Sequence, residues 1–490
     1  MTTHEERRPS LPMPVKATPY RHQQEAFDFV CRSFGLLPEP EAGPPVLKSS
    51  GCALLMEMGT GKTITSIAIT GALAKAGRIG RVLIVAPLSI LGVWEAEFAR
   101  FADFPYFLAV LSGTGAKKLD TLRHMTGAAL QVAVVNYESA WRMEKDLLAW
   151  RPDLIIADEG HKIKTHNIAA SKAMHRLGRA ASYRLLLTGT VITNKAIDVF
   201  SQYKFTNPDI FGQSFYAFRS RYFDMVGYGN HTPVLKKSME AELVEKMHAI
   251  AYRATKAECL DLPETTDVLR QVDLEPAALR IYKGLVKESY AELSGGEVTA
   301  PNILTRLLRL SQLTGGYIGN DETASVEQVS AAKLSALEDI LDGAVAEGKK
   351  LVIIARFLPE IRAICKLLEK RNLRYSYITG EVKNREEQVE QFQNEPEVMA
   401  FVGQIATAGL GITLTAASTM VFYSLDYSMS NFEQTKARIH RVGQRMPCTY
   451  LYLVARGTVD EKVLLALKNK ADLAKTLVDD YRSGKNPFAA

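Results

Sequence analysis

A glycine-containing segment near residue 60 has the residue types of a phosphate-binding loop. It reads MEMGTGKT; an apolar run precedes it and a stretch with helical apolar spacing follows, so it should join a strand to a helix. In that setting Gly59 and Gly61 allow backbone amides to surround phosphate oxygens, Lys62 reaches the β and γ phosphates, and Thr63 ligates Mg²⁺. The pattern GxxxxGK[ST] begins with glycine where this chain has methionine, and an ordinary glycine-rich turn is the alternative interpretation.

Two adjacent carboxylates follow a second apolar run, in the segment DLIIADEGH. Parallel sheets hold their ligands at the carboxyl ends of strands, where this run places Asp158 and Glu159. Asp158 is expected to bind Mg²⁺, and Glu159 to orient and deprotonate an attacking water, because phosphoryl transfer depends chiefly on geometry and charge stabilisation. The alternative is a solvated acidic turn that caps the next helix.

Two arginines lie three residues apart in QTKARIHRVGQ, near the end of the chain. On a helix Arg438 and Arg441 leave the same face, so both can reach one γ-phosphate and stabilise its developing charge. A basic surface helix is the alternative, in which Lys436, His440 and Arg445 join them on a nucleic-acid backbone. The spacing alone does not choose between these interpretations.

These segments need elements to position them, and short β-branched apolar runs supply the strands. The runs alternate with helical stretches, which is typical of parallel α/β sheets. They occur in two groups of five, separated by a helical or irregular region. We therefore predict a flexible lead-in over 1–15, an ATP-binding lobe over 16–194, helical protrusions and a linker over 195–330, and a second lobe over 331–490.

Composition sets the broad class of the chain. With 490 residues, 47% hydrophobic and 23% charged, it is an ordinary globular chain of several domains, neither collagen-like nor mostly disordered. The net charge of +6 fits a polyanionic partner but is common in other enzymes. Five dispersed cysteines predict a reducing, cytoplasmic compartment. Neither a membrane span nor a signal peptide is predicted.

The order of the motifs resembles that of Snf2-family ATPases of helicase superfamily 2, of a compact bacterial or bacteriophage type. The resemblance extends from about Tyr20 to Tyr481 and includes LDLPETTDVLRQVDLEP, which is similar to the Snf2 segment that joins the lobes. The segments that carry it are, in chain order, PYRHQ, MEMGTGKT, VLIVAPLSILGVWEAEF, DEGH, LTGTVITN, YITGEVKNREEQVEQF, QIATAGLGITLTAAS and QTKARIHRVGQ.

The resemblance implies two RecA-like lobes of α/β fold, with parallel sheets flanked by helices, Snf2-type helical insertions, and ATP with Mg²⁺ in the cleft between the lobes. The implied catalytic residues are Lys62, Asp158, Glu159, Gln434, Arg438 and Arg441. The implied ATP-binding residues are Gln23, Gly59, Thr60, Gly61, Lys62 and Thr63, with Thr63 and Asp158 on Mg²⁺. Coupling to DNA is assigned to His161, Thr188, Gly189 and Thr190. DNA contacts are assigned to Pro87, Ser89, Asn136, Gly380, Thr407, Gly409 and Thr413.

The family pattern is not matched everywhere. This chain has Val191 where the family usually has proline, Ala408 for glycine, Ala437 for aspartate and Tyr427 for tryptophan. None of these changes removes a group that holds phosphate or magnesium.

The resemblance implies a monomeric, DNA-dependent ATPase that translocates along double-stranded DNA in replication, recombination, repair or remodelling. One alternative is a superfamily 2 helicase that unwinds, anneals or remodels forked or branched DNA. The other is a DNA-binding scaffold whose nucleotide site is inactive.

Overall fold

In a computed structural model of the protein, the ten apolar runs lie in strands of two parallel sheets. The structure describes residues 10–39, 46–127, 129–189, 196–226, 232–259, 262–288, 290–293, 296–299, 303–319, 325–382, 384–405 and 411–469. The chain forms two compact units, Met1–Asp261 and Leu262–Ala490. The domain boundaries expected near residues 194 and 330 stay predictions.

The first unit is built on a seven-stranded sheet in the order β3-β4-β2-β5-β6-β1-β9, with every neighbouring pair parallel. A separate antiparallel hairpin pairs β7 with β8. The strands are β1 Gly51–Met56, β2 Arg81–Ala86, β3 Tyr106–Val110, β4 Leu130–Asn136, β5 Leu154–Asp158, β6 Tyr183–Thr188, β7 Phe223–Val226, β8 Thr232–Leu235 and β9 Ala251–Ala254.

Helices cover both faces of this sheet. They are α1 Arg21–Ser33, α2 Lys62–Lys75, α3 Leu91–Phe101, α4 Gly115–His124, α5 Tyr137–Arg142, α6 Glu144–Trp150, α7 Ala169–Ala180, α8 Val199–Thr206, α9 Phe215–Tyr222, α10 Glu240–His248 and α11 Lys256–Cys259. One apolar core joins α1, α2 and α3 to the sheet, and another joins α5, α6 and α7 to the opposite face. A third, largely aromatic cluster holds α8, α9 and α10 together. The central strands are buried on both sides, which explains their continuous apolar sequences.

The second unit contains a six-stranded parallel sheet in the order β10-β19-β18-β15-β17-β16. Two short antiparallel pairs, β11 with β12 and β13 with β14, lie outside it. The strands are β10 Thr265–Val272, β11 Tyr290–Leu293, β12 Gly296–Thr299, β13 Tyr317–Gly319, β14 Val326–Gln328, β15 Leu351–Ala355, β16 Arg374–Ile378, β17 Val398–Gln404, β18 Thr419–Phe422 and β19 Cys448–Ala455.

Helices also cover both faces of the second sheet, with one apolar core on each side. They are α12 Pro276–Glu288, α13 Ile303–Thr314, α14 Ala332–Ala346, α15 Leu358–Lys370, α16 Arg385–Asn394, α17 Met429–Lys436 and α18 Val459–Lys468. The predicted fold class, two lobes of parallel α/β structure with additional helices, is therefore confirmed.

Three strands of the large sheets lie outside the predicted apolar runs. Strands β3 and β9 lie at opposite edges of the first sheet, and β10 lies at an edge of the second. Seven of the eight residues of β10 are exposed, so its sequence TTDVLRQV carries no buried-strand signal. Both β9 and β10 fall in the region that was expected to be helical or irregular. Edge strands take part in the sheet without apolar burial on both faces, so their sequences lack the continuous apolar run that predicts a buried strand.

Among the residues with described positions, no helix is long and apolar enough to cross a membrane.

Candidate active site

The glycine loop connects β1 to α2, as its sequence predicts. Strand β1 ends at Met56, and α2 begins at Lys62. Gly59 and Gly61 have φ values of +85° and +96°, a region that residues with a Cβ rarely adopt. The loop therefore ends at the amino terminus of a fourteen-residue helix, whose first backbone amides have no partners within the helix.

The ammonium group of Lys62 lies against the loop. Its Nζ atom donates hydrogen bonds of 2.7 Å and 3.3 Å to the carbonyl oxygens of Met56 and Glu57. The hydroxyl of Thr60 also donates to the Glu57 carbonyl, at 2.7 Å. These contacts hold the loop in a closed turn and place a positive charge beside it.

The Thr60 carbonyl oxygen ties the loop to helix α1. It accepts hydrogen bonds from Gln23 Nε2 at 3.2 Å and from His22 Nε2 at 2.7 Å, so His22 carries its proton on Nε2. Gln23 Oε1 accepts a bond from the Tyr20 amide at 3.0 Å, which fixes the orientation of the side-chain amide. A Cβ atom at Gly61 would lie 2.1 Å from Gln23 Nε2. The predicted nucleotide residue Gln23 thus packs directly on the loop, while the contact of His22 was not predicted.

Asp158 ends β5, and its carboxylate is buried. Its Oδ2 atom accepts a 3.0 Å hydrogen bond from Trp94 Nε1, and its Oδ1 atom accepts one from the Glu159 amide at 2.9 Å. Burial raises the pKa of Asp158 to about 7, with a further rise from the negative charge of Glu159; Lys62 and the Trp94 bond act in the opposite direction. The hydroxyl of Tyr137 donates to the Asp158 carbonyl at 2.6 Å.

Glu159 adopts a left-handed backbone conformation, with φ +53°. For a residue with a Cβ this conformation costs about 1 kcal/mol, and such strain is concentrated at functional sites. Its Oε2 atom lies 3.2 Å from His161 Nδ1, and both side chains are mostly buried. The predicted coupling residue His161 therefore contacts the predicted catalytic carboxylate directly.

The end of β6 brings the predicted coupling segment to the glycine loop. Thr188 is fully buried and pairs in register with Leu55 of β1. A Cβ atom at Gly189 would lie 3.6 Å from the Met56 carbonyl oxygen and 3.7 Å from the Met58 amide nitrogen. Thr190 lies outside the described residues.

The side chains near the loop fit a magnesium ion that takes most of its ligands from the nucleotide and from water, and only one or two from the protein. Where the structure describes the chain, no group of three or more His, Cys, Asp or Glu residues could hold a metal. Mg²⁺ in phosphoryl-transfer sites usually takes one or two protein ligands, and phosphate and water oxygens complete its octahedron. The buried carboxylate of Asp158 lacks a fully compensating charge, which a divalent cation would supply. Thr63, in the first turn of α2, is the predicted second ligand.

In the second unit, Arg438 and Arg441 converge on one backbone atom. The Nη1 atom of each donates a 3.3 Å hydrogen bond to the Ile412 carbonyl. Arg438 is buried, and its Nε atom donates to the Gln434 carbonyl at 3.0 Å. Gln434 is also buried and donates through Nε2 to the Ser430 hydroxyl at 3.2 Å.

The expectation that both arginines lie on a helix is wrong, because α17 ends at Lys436. The following residues form turns, since Gln444 Nε2 donates to the carbonyls of Ile439 and Ala417 at 3.1 Å and 2.8 Å. A neighbouring glycine, Gly443, has φ +100°. The side chain of Gln444 thus supplies a donor to the Ile439 carbonyl, an acceptor that lies beyond the end of α17.

Two members of the alternative basic surface are engaged within the second unit. Lys436 Nζ lies 3.0 Å from Asp267 Oδ1 and 4.2 Å from the centroid of the Tyr450 ring. His440 Nε2 lies 2.9 Å from the Pro263 carbonyl oxygen, to which it donates. These contacts reduce what Lys436 and His440 can offer to an external nucleic acid.

Two of the predicted DNA-contact residues of the first unit follow strands on the same sheet edge as Asp158. Pro87 follows β2, and Ser89 lies in the short 3-10 helix Leu88–Ile90. Asn136 ends β4, and its Oδ1 atom accepts a 2.8 Å bond from the Ser139 amide, so the side-chain oxygen caps α5. The DNA contact of Asn136 stays a prediction.

Of the four predicted contacts in the second unit, two are described. The Gly380 amide donates to Gln404 Oε1 at 3.4 Å, and a Cβ at Gly380 would meet no atom within 4 Å. Thr413 is half-buried and follows Ile412, the acceptor for both arginines. Thr407 and Gly409 lie outside the described residues.

Trp94 and Tyr137 are the site residues that sequence reasoning missed. For Trp94 a signal existed, because α3 follows β2, and β2 is the sheet neighbour of β5. An indole one turn into α3 therefore lies near the end of β5. Tyr137 carries no comparable signal, since β4 is not a neighbour of β5.

Comparisons with known proteins agree with the motif order. The model of the SNF2-related domain matches residues 13–315, and that of the helicase conserved C-terminal domain matches 332–443. The DNA repair and recombination protein RDH54 of Saccharomyces cerevisiae (strain JAY291) is 26% identical over 484 residues, covering 88% of this chain and 52% of that protein. The DNA repair and recombination protein RAD54-like of Drosophila persimilis is 25% identical over 489 residues, covering 90% and 62%.

The chain thus spans about half to three-fifths of the length of these curated relatives. Among solved structures, the Sulfolobus solfataricus SWI2/SNF2 ATPase core in complex with dsDNA is 26% identical. The match covers 97% of this chain and 95% of that one, with a TM-score of 0.45.

Proposed function

Because the chain belongs to the SNF2-related family and carries a helicase C-terminal domain, we propose that it is a DNA-dependent ATPase of helicase superfamily 2 that couples ATP hydrolysis to translocation along double-stranded DNA. One observation carries the nucleotide part of this proposal. The buried carboxylate of Asp158, with a pKa of about 7, lies at the end of a central strand and is influenced by both Lys62 and Glu159. Perturbed carboxylates of this kind are concentrated at functional sites.

Each residue of the first unit has a role in the proposed reaction. The loop amides and Lys62 bind the phosphates of ATP, and Gln23 packs where an adenine ring can be recognised. Thr63 and Asp158 hold Mg²⁺, which when bound would neutralise charge on the β and γ phosphates. Glu159, oriented by His161, holds the attacking water in line and accepts its proton.

The arginines of the second unit supply the remaining positive charge. We assign Arg438 and Arg441 to the transferring γ-phosphoryl group, whose charge spreads over its oxygens in the transition state. Gln434 supports them, since its carbonyl accepts a bond from Arg438. Arginine from a second domain would make turnover depend on domain closure.

DNA is the proposed track, through backbone contacts at Pro87, Ser89, Asn136, Gly380, Thr407, Gly409 and Thr413. Contacts to phosphates do not read sequence, which suits an enzyme that moves over any duplex. The relatives RDH54 and RAD54-like are DNA repair and recombination proteins, and we propose that this chain acts in the same processes. We propose a cytoplasmic monomer; each of the five cysteines lies at a described position, and none forms a disulfide.

Steady-state ATP hydrolysis in the presence of different nucleic acids tests this function. We expect strong stimulation by linear duplex, and weaker stimulation by single strands and RNA, at two salt concentrations. Displacement of a triplex strand without duplex unwinding would then support translocation. Stimulation only by forked DNA, with unwinding, would favour a fork-remodelling helicase instead.

The Glu159→Gln variant tests the proposed base, because it keeps the shape of the side chain and removes the carboxylate. It should bind ATP and lose turnover. If Glu159→Gln hydrolysed ATP like wild type, or if no nucleic acid stimulated the wild-type enzyme, the proposed function would be wrong.

A further inference from the structure

The positive charge of this protein is concentrated in one stretch of sequence. Residues 160–222 contain ten Lys and Arg against two acids, Asp198 and Asp209, which gives +8. The whole chain has 60 Lys and Arg against 54 acids, so the other residues have 50 against 52, or −2. This stretch therefore contributes more than the entire net charge of the chain.

Some of these cations serve the fold. Arg176 pairs with Glu144, and Arg221 pairs with Glu242 at 2.9 Å. Arg184 is buried and donates to the carbonyls of Thr206, Gly178 and Ala181 at 2.9–3.1 Å. These three arginines therefore bind acceptors within the protein. The other cations of the stretch are the candidates for binding an external anion.

Two of the remaining cations, Lys204 of α8 and Arg179 of α7, meet at Gln213, and a third, Lys172, lies on the same face of α7. Lys204 Nζ donates to the Gln213 carbonyl at 2.9 Å, and Arg179 Nη2 lies 3.4 Å from the side-chain oxygen of the same residue. Lys172 lies seven residues before Arg179 on α7, on the same face and roughly 10 Å along the axis. Across the described ranges, none of Lys172, Arg179 and Lys204 forms an ion pair with an acidic side chain.

These charges repel one another in the folded protein. Lys204 and Lys172 reinforce the effect of burial in lowering the pKa of His166. The charge of Arg179 likewise adds to burial in lowering the pKa of Lys204. An anion bound at this surface would relieve the repulsion.

Aromatic side chains extend the same surface onto α9. Lys204 Nζ lies 5.6 Å from the centroid of the Phe200 ring, and His166 stacks on Phe215 at 3.8 Å. The adjacent Tyr216 is 68% exposed, and the guanidinium of Arg219 lies 5.3 Å from its ring centroid. We call Lys172, Arg179, Lys204, Tyr216 and Arg219 the basic face; basic groups beside exposed aromatic rings are typical of nucleic-acid-binding surfaces.

One end of the basic face lies at the sheet edge opposite the nucleotide site. Arg184 is the second residue of β6, and its backbone amide donates to the carbonyl of Ser50, the residue before β1. A Cβ at Gly51 would overlap the Thr206 carbonyl, so the end of α8 that carries Lys204 reaches this amino-terminal edge. Pro87, Asn136 and Asp158 mark the carboxyl-terminal edge, one strand length or roughly 17–20 Å away.

We propose that the basic face binds the phosphate backbone of a second DNA segment, separate from the duplex proposed to contact Pro87 and Asn136. The proposal rests on the proposed function for the identity of the polyanion. Phosphates accept hydrogen bonds from Lys172, Arg179, Lys204 and Arg219, and Tyr216 packs against sugar or base. Binding of two segments would hold the ATPase on DNA while the motor domains move along one of them.

Equilibrium binding to a blunt duplex, measured without nucleotide over a series of salt concentrations, tests the proposal. The variant is Lys172→Gln/Arg179→Gln/Lys204→Gln. The matched control is Lys75→Gln/Arg78→Gln/Lys117→Gln, which removes the same charge from exposed positions elsewhere in the first unit. If the three cations contact phosphates, the slope of log affinity against log salt falls by about 2–3 in the variant and hardly changes in the control. Thermal melts establish that both proteins are folded.

A second measurement separates this proposal from the proposed function. Wild type should retain a labelled duplex on beads that carry an unlabelled duplex, and the basic-face variant should not. Its maximal ATPase rate with saturating short duplex should stay at the wild-type level. Equal salt slopes and equal bridging in variant and control would overturn the basic face as a DNA site, even with duplex-stimulated ATPase intact.

An acidic protein segment is the rival occupant. Polyglutamate is the probe, and it should compete for the basic face far less effectively than duplex of equal charge. Competition by polyglutamate at equal charge, lost in the variant, would overturn the assignment to DNA in favour of an acidic protein.

Discussion

Trp94 Nε1 donates a 3.0 Å hydrogen bond to the Oδ2 atom of Asp158, the proposed magnesium ligand. The other carboxylate oxygen accepts from the Glu159 amide, so both oxygens have a defined orientation. Mutation of a group that orients a metal ligand typically lowers metal affinity or activity about 10- to 100-fold. The indole therefore orients the proposed magnesium ligand.

The substitution Trp94→Phe removes the donor and keeps most of the aromatic volume. We expect the free Mg²⁺ concentration for half-maximal ATP hydrolysis to rise roughly 10- to 100-fold, with ATP still bound. The control is Trp141→Phe, because Trp141 makes a similar 2.9 Å bond to Glu138 away from the site. An unchanged Mg²⁺ requirement in Trp94→Phe would show that the bond does not position the ligand.

The substitution Gly61→Ala should abolish nucleotide binding without unfolding the protein. Its Cβ would overlap Gln23 Nε2, and the backbone φ of +96° is unfavourable for alanine. Gly77→Ala is the matched control, since Gly77 has φ +67° but no atom within 4 Å of its Cβ position. We expect Gly77→Ala to cost about 1–2 kcal/mol of stability and leave binding unchanged. Binding of a fluorescent ATP analogue and thermal melts distinguish the two effects.

The substitution Arg441→Ala should lower the maximal turnover rate by about 10³-fold while ATP affinity changes little, because an arginine finger acts mainly in the transition state. Arg445→Ala, which removes an exposed arginine of the same segment, should retain turnover. Single-turnover hydrolysis and nucleotide binding measure the two quantities. Normal turnover in Arg441→Ala would remove it from the catalytic set.

In the second unit, Arg438→Ala should differ from Arg441→Ala in stability. The Arg438 guanidinium is buried and donates to the Gln434 carbonyl, so its removal takes a donor from that acceptor, whereas the Ile412 carbonyl keeps its bond from Arg441. We expect a loss of about 1–3 kcal/mol in the free energy of unfolding. Equal thermal stability of the two variants would contradict this structural role.

Glu360 gives the second unit a pH-dependent stability. Its carboxylate is fully buried; Oε2 accepts bonds from Ser424 Oγ and the amides of Arg356 and Phe357, while Oε1 has no hydrogen-bond partner among the described residues. Burial raises the pKa of Glu360 to about 7. The folded state therefore binds the proton more tightly than the unfolded state, so the free energy of unfolding falls as pH rises from about 4.5 to about 7.

The substitution Glu360→Gln should remove this dependence. The unfolding free energy of wild type should fall as pH rises, whereas that of the variant should not. The difference between the two proteins should therefore shift by up to about 3 kcal/mol in favour of the variant between acidic and alkaline pH. The control is Glu369→Gln, at an exposed position of the same helix. Melting temperatures at pH values on either side of this range measure the effect. Parallel pH profiles for wild type and Glu360→Gln would refute it.

The sequence predicted the parallel α/β architecture because buried strands leave continuous apolar runs. It also predicted the glycine loop, since Gly59, Gly61 and Lys62 are contiguous and their chemistry follows from local spacing. The arginine pair was found for the same reason, but its helix was not correct. Helix α17 ends at Lys436, and the side chain of Gln444 donates a hydrogen bond to the Ile439 carbonyl in the turn that follows.

By itself, then, the sequence determined the strand-forming apolar runs, the glycine loop and the order of the motifs, from which the residues proposed for ATP hydrolysis were predicted. Only the tertiary structure decided which groups meet: Trp94 with Asp158, Gln23 with Gly61, and Lys204 with Arg179 at Gln213. The tertiary structure also decided that β10 is a strand, because seven of its eight residues are exposed and its sequence therefore carries no buried-strand pattern. Local patterns encode burial and turn chemistry, whereas contacts between separate elements depend on how the sheet orders its strands and how helices pack across them.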